Sequence, residues 1–207
     1  MLVLLVLLPL LGEARAELPA PDYREALVAA AESEADALIA AGDLTAALIL
    51  VERFRGAIAD HPRLIYEEGL VRRLTGDSDA ALTLLEASVA ADPALAHAWY
   101  DLGEVRLQRG DEAGATEAFE RASEMSEQHP QGWAGPFRLA ELAGRRGDVA
   151  GFERWLKEAL RRGFTFRAVV QDPTWRGFLD APGLGEILRR MATVYGNEEV
   201  IRAWEGG

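Results

Sequence analysis

Cysteine is absent from the 207 residues. Disulfides, thiolate metal sites and a cysteine nucleophile are therefore excluded, and a cysteine-linked lipid anchor is not expected. Lysine occurs once, at Lys157, and asparagine once, at Asn197, so Schiff-base chemistry and a phosphate-binding lysine have almost nowhere to sit. Bases are in deficit: 22 Lys and Arg stand against 34 Asp and Glu, a formal net charge of −12. That balance argues against nucleic acid as a partner, because neutralising phosphates needs surplus cations. The three histidines, His61, His97 and His129, are too scattered to pair on one helical turn around a metal. His61 and His129 precede prolines and are expected at solvated helix ends. No nucleophile elbow, P-loop, zinc-protease or dinucleotide motif occurs, and Gly183-Leu184-Gly185 lacks the third glycine of the last. Neither cofactor nor metal is expected, and the chain does not read as an enzyme.

One apolar run stands out, Leu2 to Leu11, followed by Ala14-Arg15-Ala16. About ten residues are too few to cross a bilayer, which takes roughly 20 in helical form. The run and the small-x-small site read as a signal peptide over residues 1–16, with the mature chain starting at Glu17 and exported to the periplasm or beyond. The alternative is an uncleaved hydrophobic helix packed on the domain. No later stretch approaches transmembrane length, so no membrane span is expected in the mature chain.

What the sequence has in quantity is alanine, 36 residues, and a period. Gly-Asp occurs at Gly42-Asp43, Gly76-Asp77 and Gly110-Asp111, each 34 residues apart, and again at Gly147-Asp148 after an insertion of three near Gln128 to Gly132. The same shift carries Ala47 onto Ala81 and Ala115, Gly69 onto Gly103, Leu85 onto Phe119 and Ser88 onto Ala122. Glycine suits the left-handed position after a helix end, and aspartate then caps the next helix. Each period thus reads as a pair of antiparallel helices, with small residues at close contacts and large ones between units. Asp92-Pro93 marks a unit boundary, with Pro93 suited to a first helical turn, and His61-Pro62 and His129-Pro130 end the preceding helices.

Trp99-Tyr100-Asp101-Leu102-Gly103, followed by Ala115, Phe119 and Ala122, resembles the tetratricopeptide repeat at the spacing of that family. The resemblance implies an all-α, right-handed superhelical solenoid of antiparallel helix pairs. Units are expected at about 28–61, 62–95, 96–129 and 133–163, making up an array over 17–163. Residues 164–207 do not continue the repeat. They are similar to the helical closing segment of bacterial arrays, with Trp175, Phe178, Ile187 and Leu188 suited to covering the last repeat's apolar face. In the fourth unit Phe152 replaces the small residue of the second helix.

The family also implies a binding surface on the concave side, lined by first helices. On that face fall Arg63, Tyr66, Leu70 and Arg73, then His97, Tyr100, Glu104 and Leu107, then Phe137 and Glu141. Tyr66, Tyr100 and Phe137 are equivalent and would form an aromatic row for an extended or helical peptide, with flanking charges setting register. The competing reading is that these rings pack on neighbouring helices or on the closing segment. A clamp for a partner's terminal carboxylate is not expected, since it needs groove Lys and Asn. Adjacent acids such as Glu67-Glu68 are expected on a wet face. Residues 17–137 carry a net −14 and residues 138–207 a net +2. The basic patch of Arg145, Arg146, Arg154, Lys157, Arg161 and Arg162 reads as a solvated face balancing Glu153 and Glu158. The implied function is a non-enzymatic scaffold or adaptor of the cell envelope, partnered by another protein or a peptide. The alternatives are a structural subunit of an envelope complex assembling through its ends or convex face, and, last, an enzyme built on the closing segment.

Overall fold

Four Gly-Asp pairs and two related turns punctuate the chain, and each does so by the same hydrogen-bond pattern. The computed structural model describes residues 21–125 and 131–205. The signal-peptide and His129-Pro130 readings lie outside them. Among the described residues are eleven α-helices, one 3₁₀ turn and no strand. The helices are α1 (Pro21–Ala40), α2 (Leu44–Ala57), α3 (Pro62–Leu74), α4 (Ser78–Ala91), α5 (Ala96–Gln108), α6 (Glu112–Met125), α7 (Ala134–Arg145), α8 (Val149–Arg161), α9 (Pro173–Asp180), α10 (Leu184–Val194) and α11 (Glu198–Glu205), with the 3₁₀ turn at Phe166–Val169. The fold is all-α and built from consecutive helix pairs, as the period predicts.

At Gly42, Gly76, Gly110 and Gly147 φ lies between 69° and 85°. The following aspartate donates its backbone N–H to the carbonyl five residues back, at 2.9 Å in all four turns. Its side chain then accepts from the third residue of the next helix: Ala46 at 3.0 Å, Ala80 at 3.3 Å, Gly114 at 2.8 Å and Gly151 at 2.9 Å. One dipeptide therefore closes one helix and opens the next, and each cap is worth about 1 kcal/mol. The turn recurs beyond the repeats, at Gly163-Phe164 and Gly196-Asn197, with the aspartate replaced.

The prolines at the unit boundaries act differently from the sequence reading. Pro93 is not helical: Asp92 caps Ala94 at 2.9 Å in a turn, and α5 starts at Ala96. Trp99 donates its indole N–H to the Pro93 carbonyl at 2.9 Å, tying the turn to the helix it precedes. Pro62 opens α3, but α2 has already ended at Ala57, so His61 begins a helix and does not close one.

The chain forms two compact units, divided between Val105 and Arg106. In the first, α1 packs on α2 and α3, α2 on α3, and α3 on α4. Leu27, Val28 and Ala31 of α1 meet Phe54, Ile58 and Leu64 in one apolar cluster. Gly69 is where α3 and α4 approach closely: a Cβ there would lie 3.0 Å from Leu85 Cγ and 3.3 Å from Leu84 Cβ.

In the second unit α6, α7 and α8 pack in sequence, and α10 contacts α8, α9 and α11. The core is aromatic. Trp175 is fully buried and stacks on Phe137, with centroids 5.1 Å apart and planes 10° apart; Phe152 and Phe178 meet edge-to-face at 5.4 Å. Phe152 stands where earlier units have alanine, and the space it needs comes from α7. A Cβ at Gly144 would sit 3.1 Å from the Phe152 ring and 2.8 Å from that of Phe178.

Candidate functional site

The first helices of unit 1 carry most of the residues that the sequence places on a binding face. The second unit withdraws two of them. Phe137 is not a free groove ring: it packs among Trp133, Phe164 and Trp175 of the closing segment's cluster. Its large apolar surface is worth more buried against those rings than left to solvent. Glu141 is also withdrawn, 4% exposed, and is held by Arg138 at 2.9 Å and by Arg145. The aromatic row of three thus loses its third member to the fold.

In unit 1 the helix seams are polar. Between α3 and α5, Asp101 is 5% exposed yet fully engaged. Arg73 reaches its Oδ1 at 2.9 Å, and the Tyr66 hydroxyl donates to its Oδ2 at 3.0 Å. Burial pushes the Asp101 carboxyl up, and the Arg73 guanidinium and the Tyr66 hydrogen bond oppose that push. Burial beside Asp101 in turn drives the Tyr66 hydroxyl well above its ordinary range, so it remains a donor at physiological pH. The exposed His97 ring lies 6.5 Å from that of Tyr66, tilted by 32°. Leu70, Tyr100, Glu104 and Leu107 are half-buried on the same two helices.

Between α1 and α3, Arg63 pairs with Glu25 and Glu32, each at 3.2 Å. His61 sits 3.0 Å from the other oxygen of Glu25 and is largely buried, correcting its reading as a solvated helix end. Contact with His61 holds the Glu25 carboxyl low, whereas burial raises that of Glu32.

Glu67 and Glu68 are the largest departure from the sequence reading. Both are buried, at 5% and 9% exposure. Adjacent helix positions point about 100° apart, so the two face opposite neighbours. Glu68 is paired with Arg55 and lies 3.7 Å from Arg72, which also pairs with Glu52 at 2.6 Å. Glu67 Oε2 is buried without a hydrogen-bond partner. Burial, followed by the charges of Asp36, Glu32 and Asp101, pushes its carboxyl up to about 8 against the relief offered by Arg63. A signal for both buried acids does exist in the sequence, since Glu67 and Asp101 are one period apart.

The basic patch is largely committed internally. Glu158 is held by Arg161 and Arg162 at 2.7 and 2.6 Å, which lower its carboxyl to about 2. Arg162 also donates to the Ser123 carbonyl at 2.8 Å, and Arg146 to the Thr116 hydroxyl at 3.3 Å. Arg154 lies over the Trp155 ring at 4.3 Å. Among the described residues no group of three or more His, Asp and Glu is arranged to hold a metal ion, and no helix is long and apolar enough to cross a membrane.

A family model described as Tetratricopeptide repeat matches residues 73–135. No curated protein matches in sequence. Among solved structures, Pseudomonas aeruginosa PilF aligns at TM-score 0.65 and 12% identity, over 87% of this chain and 90% of its own. YrrB, described as a TPR protein with an unusual peptide-binding site, gives 0.58 and 15%, over 83% and 87%. MamA from Desulfovibrio magneticus RS-1 gives 0.59 and 13%, over 86% and 93%. Identities this low speak to fold alone. Together with the match over residues 73–135, the Gly-Asp period and the helix pairs it builds, they show that the fold is that of a tetratricopeptide-repeat array.

Proposed function

We propose that this protein is a non-catalytic interaction scaffold of the cell envelope that holds a peptide or a partner's helix on its first-helix face. The observation that carries this reading is the face itself. α3 and α5 present Tyr66, Leu70, His97 and Tyr100, and the seam beneath is fixed by the Asp101 contacts. Aromatic and aliphatic area held on rigid helices costs little entropy on binding. Peptide binding is also ascribed to YrrB, which shares the fold. The envelope location rests on the apolar run Leu2 to Leu11 and on Ala14-Arg15-Ala16.

The test is capture of partners from an envelope fraction by the wild-type chain and by the double variant His97→Ala with Tyr100→Ala. Loss of specific partners with helicity unchanged supports the reading, and unchanged capture overturns the face as the binding surface. A mature N-terminus found at Met1 in a cytoplasmic fraction overturns export.

A further inference from the structure

Two buried acids lie one repeat apart on the first-helix face. Shifting by 34 residues carries Glu67 onto Asp101, Glu32 onto Tyr66 and Ile39 onto Arg73. The second member of each pair belongs to the α3–α5 seam, where Tyr66 and Arg73 satisfy both oxygens of Asp101. The first members belong to the α1–α3 seam, and neither can repeat that service. Glu32, standing for the tyrosine, is itself an acid; Ile39, standing for the arginine, has neither charge nor donor. Asp36 of α1 adds a third carboxylate near Glu67 and is exposed. Arg63, the cation that relieves Glu67 from its own helix, is already shared between Glu25 and Glu32.

We infer that the α1–α3 seam is a subsite for an arginine side chain of the bound peptide, which would do for Glu67 what Arg73 does for Asp101. The occupant follows from the molecule's own repeat. A guanidinium presents several N–H donors in a planar fork and matches a carboxylate with two oxygens to fill. Glu67 Oε2 is such an oxygen, more than nine-tenths buried in its residue and without a donor. Charge complementarity points the same way: the carboxylates of Glu32 and Asp36 act on Glu67 from α1, and the chain up to Phe137 is strongly acidic. The inference deepens the peptide-binding reading and depends on it.

Binding there is coupled to a proton. Glu67 is largely neutral at pH 7, because it titrates near 8, and a guanidinium stabilises the carboxylate, so each bound arginine displaces one proton. The groups around Glu67 are Glu32 and Asp36 from α1, Arg63 on its own helix, and Asp101 from α5. Beyond them stand the Arg73 and Tyr66 contacts of Asp101 and the His61 and Arg63 contacts of Glu25. Comparing wild type with Glu67→Gln cancels all of these except Glu67. Below pH 8 affinity for an arginine peptide rises about tenfold per pH unit in wild type, relative to the variant.

The experiment pans a random twelve-residue phage library on the full-length chain. Selected peptides are synthesised with their arginine intact or replaced by neutral citrulline, and titrated against wild type, Glu67→Gln and Ile39→Arg. The expected result is one arginine in register among the selected peptides, a loss of tenfold or more with citrulline, and a similar loss in Ile39→Arg, whose own guanidinium fills the seam. Circular dichroism confirms that each variant is folded. Binders selected without arginine, or with a citrulline penalty that Glu67→Gln leaves unchanged, overturn the subsite while the peptide-binding reading stands. A library that yields no binders overturns both.

Discussion

The two seams of the first unit are built on one repeat and solve the same problem in opposite ways. Both bury an acid from the middle of a first helix. The α3–α5 seam closes on Asp101 with an arginine and a tyrosine from the preceding first helix. The α1–α3 seam presents Glu67 with a glutamate and an isoleucine at those positions. A buried carboxyl is tolerable when it is paired or when it is protonated. The molecule uses the first solution at Asp101 and the second at Glu67. Backbone periodicity therefore does not dictate electrostatic equivalence, and the repeat that departs from its neighbour marks where an outside charge fits.

The largest expected effect separates the two acids by pH. Glu67 is raised from 4.5 to about 8 on folding, so the native state binds more protons than the unfolded one across that interval. The neutral carboxyl's contribution is complete below pH 4.5 and is lost as pH rises through 8. That loss amounts to roughly 4–5 kcal/mol, at about 1.4 kcal/mol for each pH unit between the two values. Urea melts of wild type and Glu67→Gln at pH 5, 7 and 8.5 should therefore diverge, with the variant relatively more stable at the alkaline end.

Opening the closed seam comes next. Arg73→Ala leaves Asp101 buried without its cation and should cost about 3 kcal/mol at pH 7, the usual scale for breaking a buried pair from one side. Urea melts at lower pH should show the lost stability partly returning, as Asp101 protonates. Closing the open seam is a smaller change. Ile39→Arg should add about 1 kcal/mol at pH 8, net of lost apolar packing, by giving Glu67 a charged donor. It should also flatten the pH dependence of stability. The smallest effect is that of Tyr66→Phe, about 1 kcal/mol or less in the same melts, because Asp101 keeps Arg73 when the hydroxyl is removed.

The helix pairs are legible in the sequence because their signal is local and repeated. Gly76-Asp77 needs only its own dihedrals and the next turn to act, and it acts the same way at each recurrence. The fates of Phe137 and Phe152 are not legible, since both depend on rings and a glycine that come together only in the folded second unit. Tyr66 can be placed on its helix, but its bond to Asp101 is hidden: in Trp99-Tyr100-Asp101-Leu102-Gly103 the acid sits between the positions that carry the family's signature. Glu67-Glu68 reads as a polar doublet on a wet face, although the two point to different neighbours. The 34-residue shift that identifies the caps also relates Glu67 to Asp101, so the period carries information at charged positions as well as at small and large ones.

The most direct test counts protons. Calorimetric titration of the full-length chain with a selected arginine peptide, at pH 7 in two buffers of different ionisation enthalpy, gives the number exchanged on binding. Wild type should release close to one proton, and Glu67→Gln none. Tight, arginine-dependent binding with no proton release by wild type would contradict the arginine subsite at Glu67.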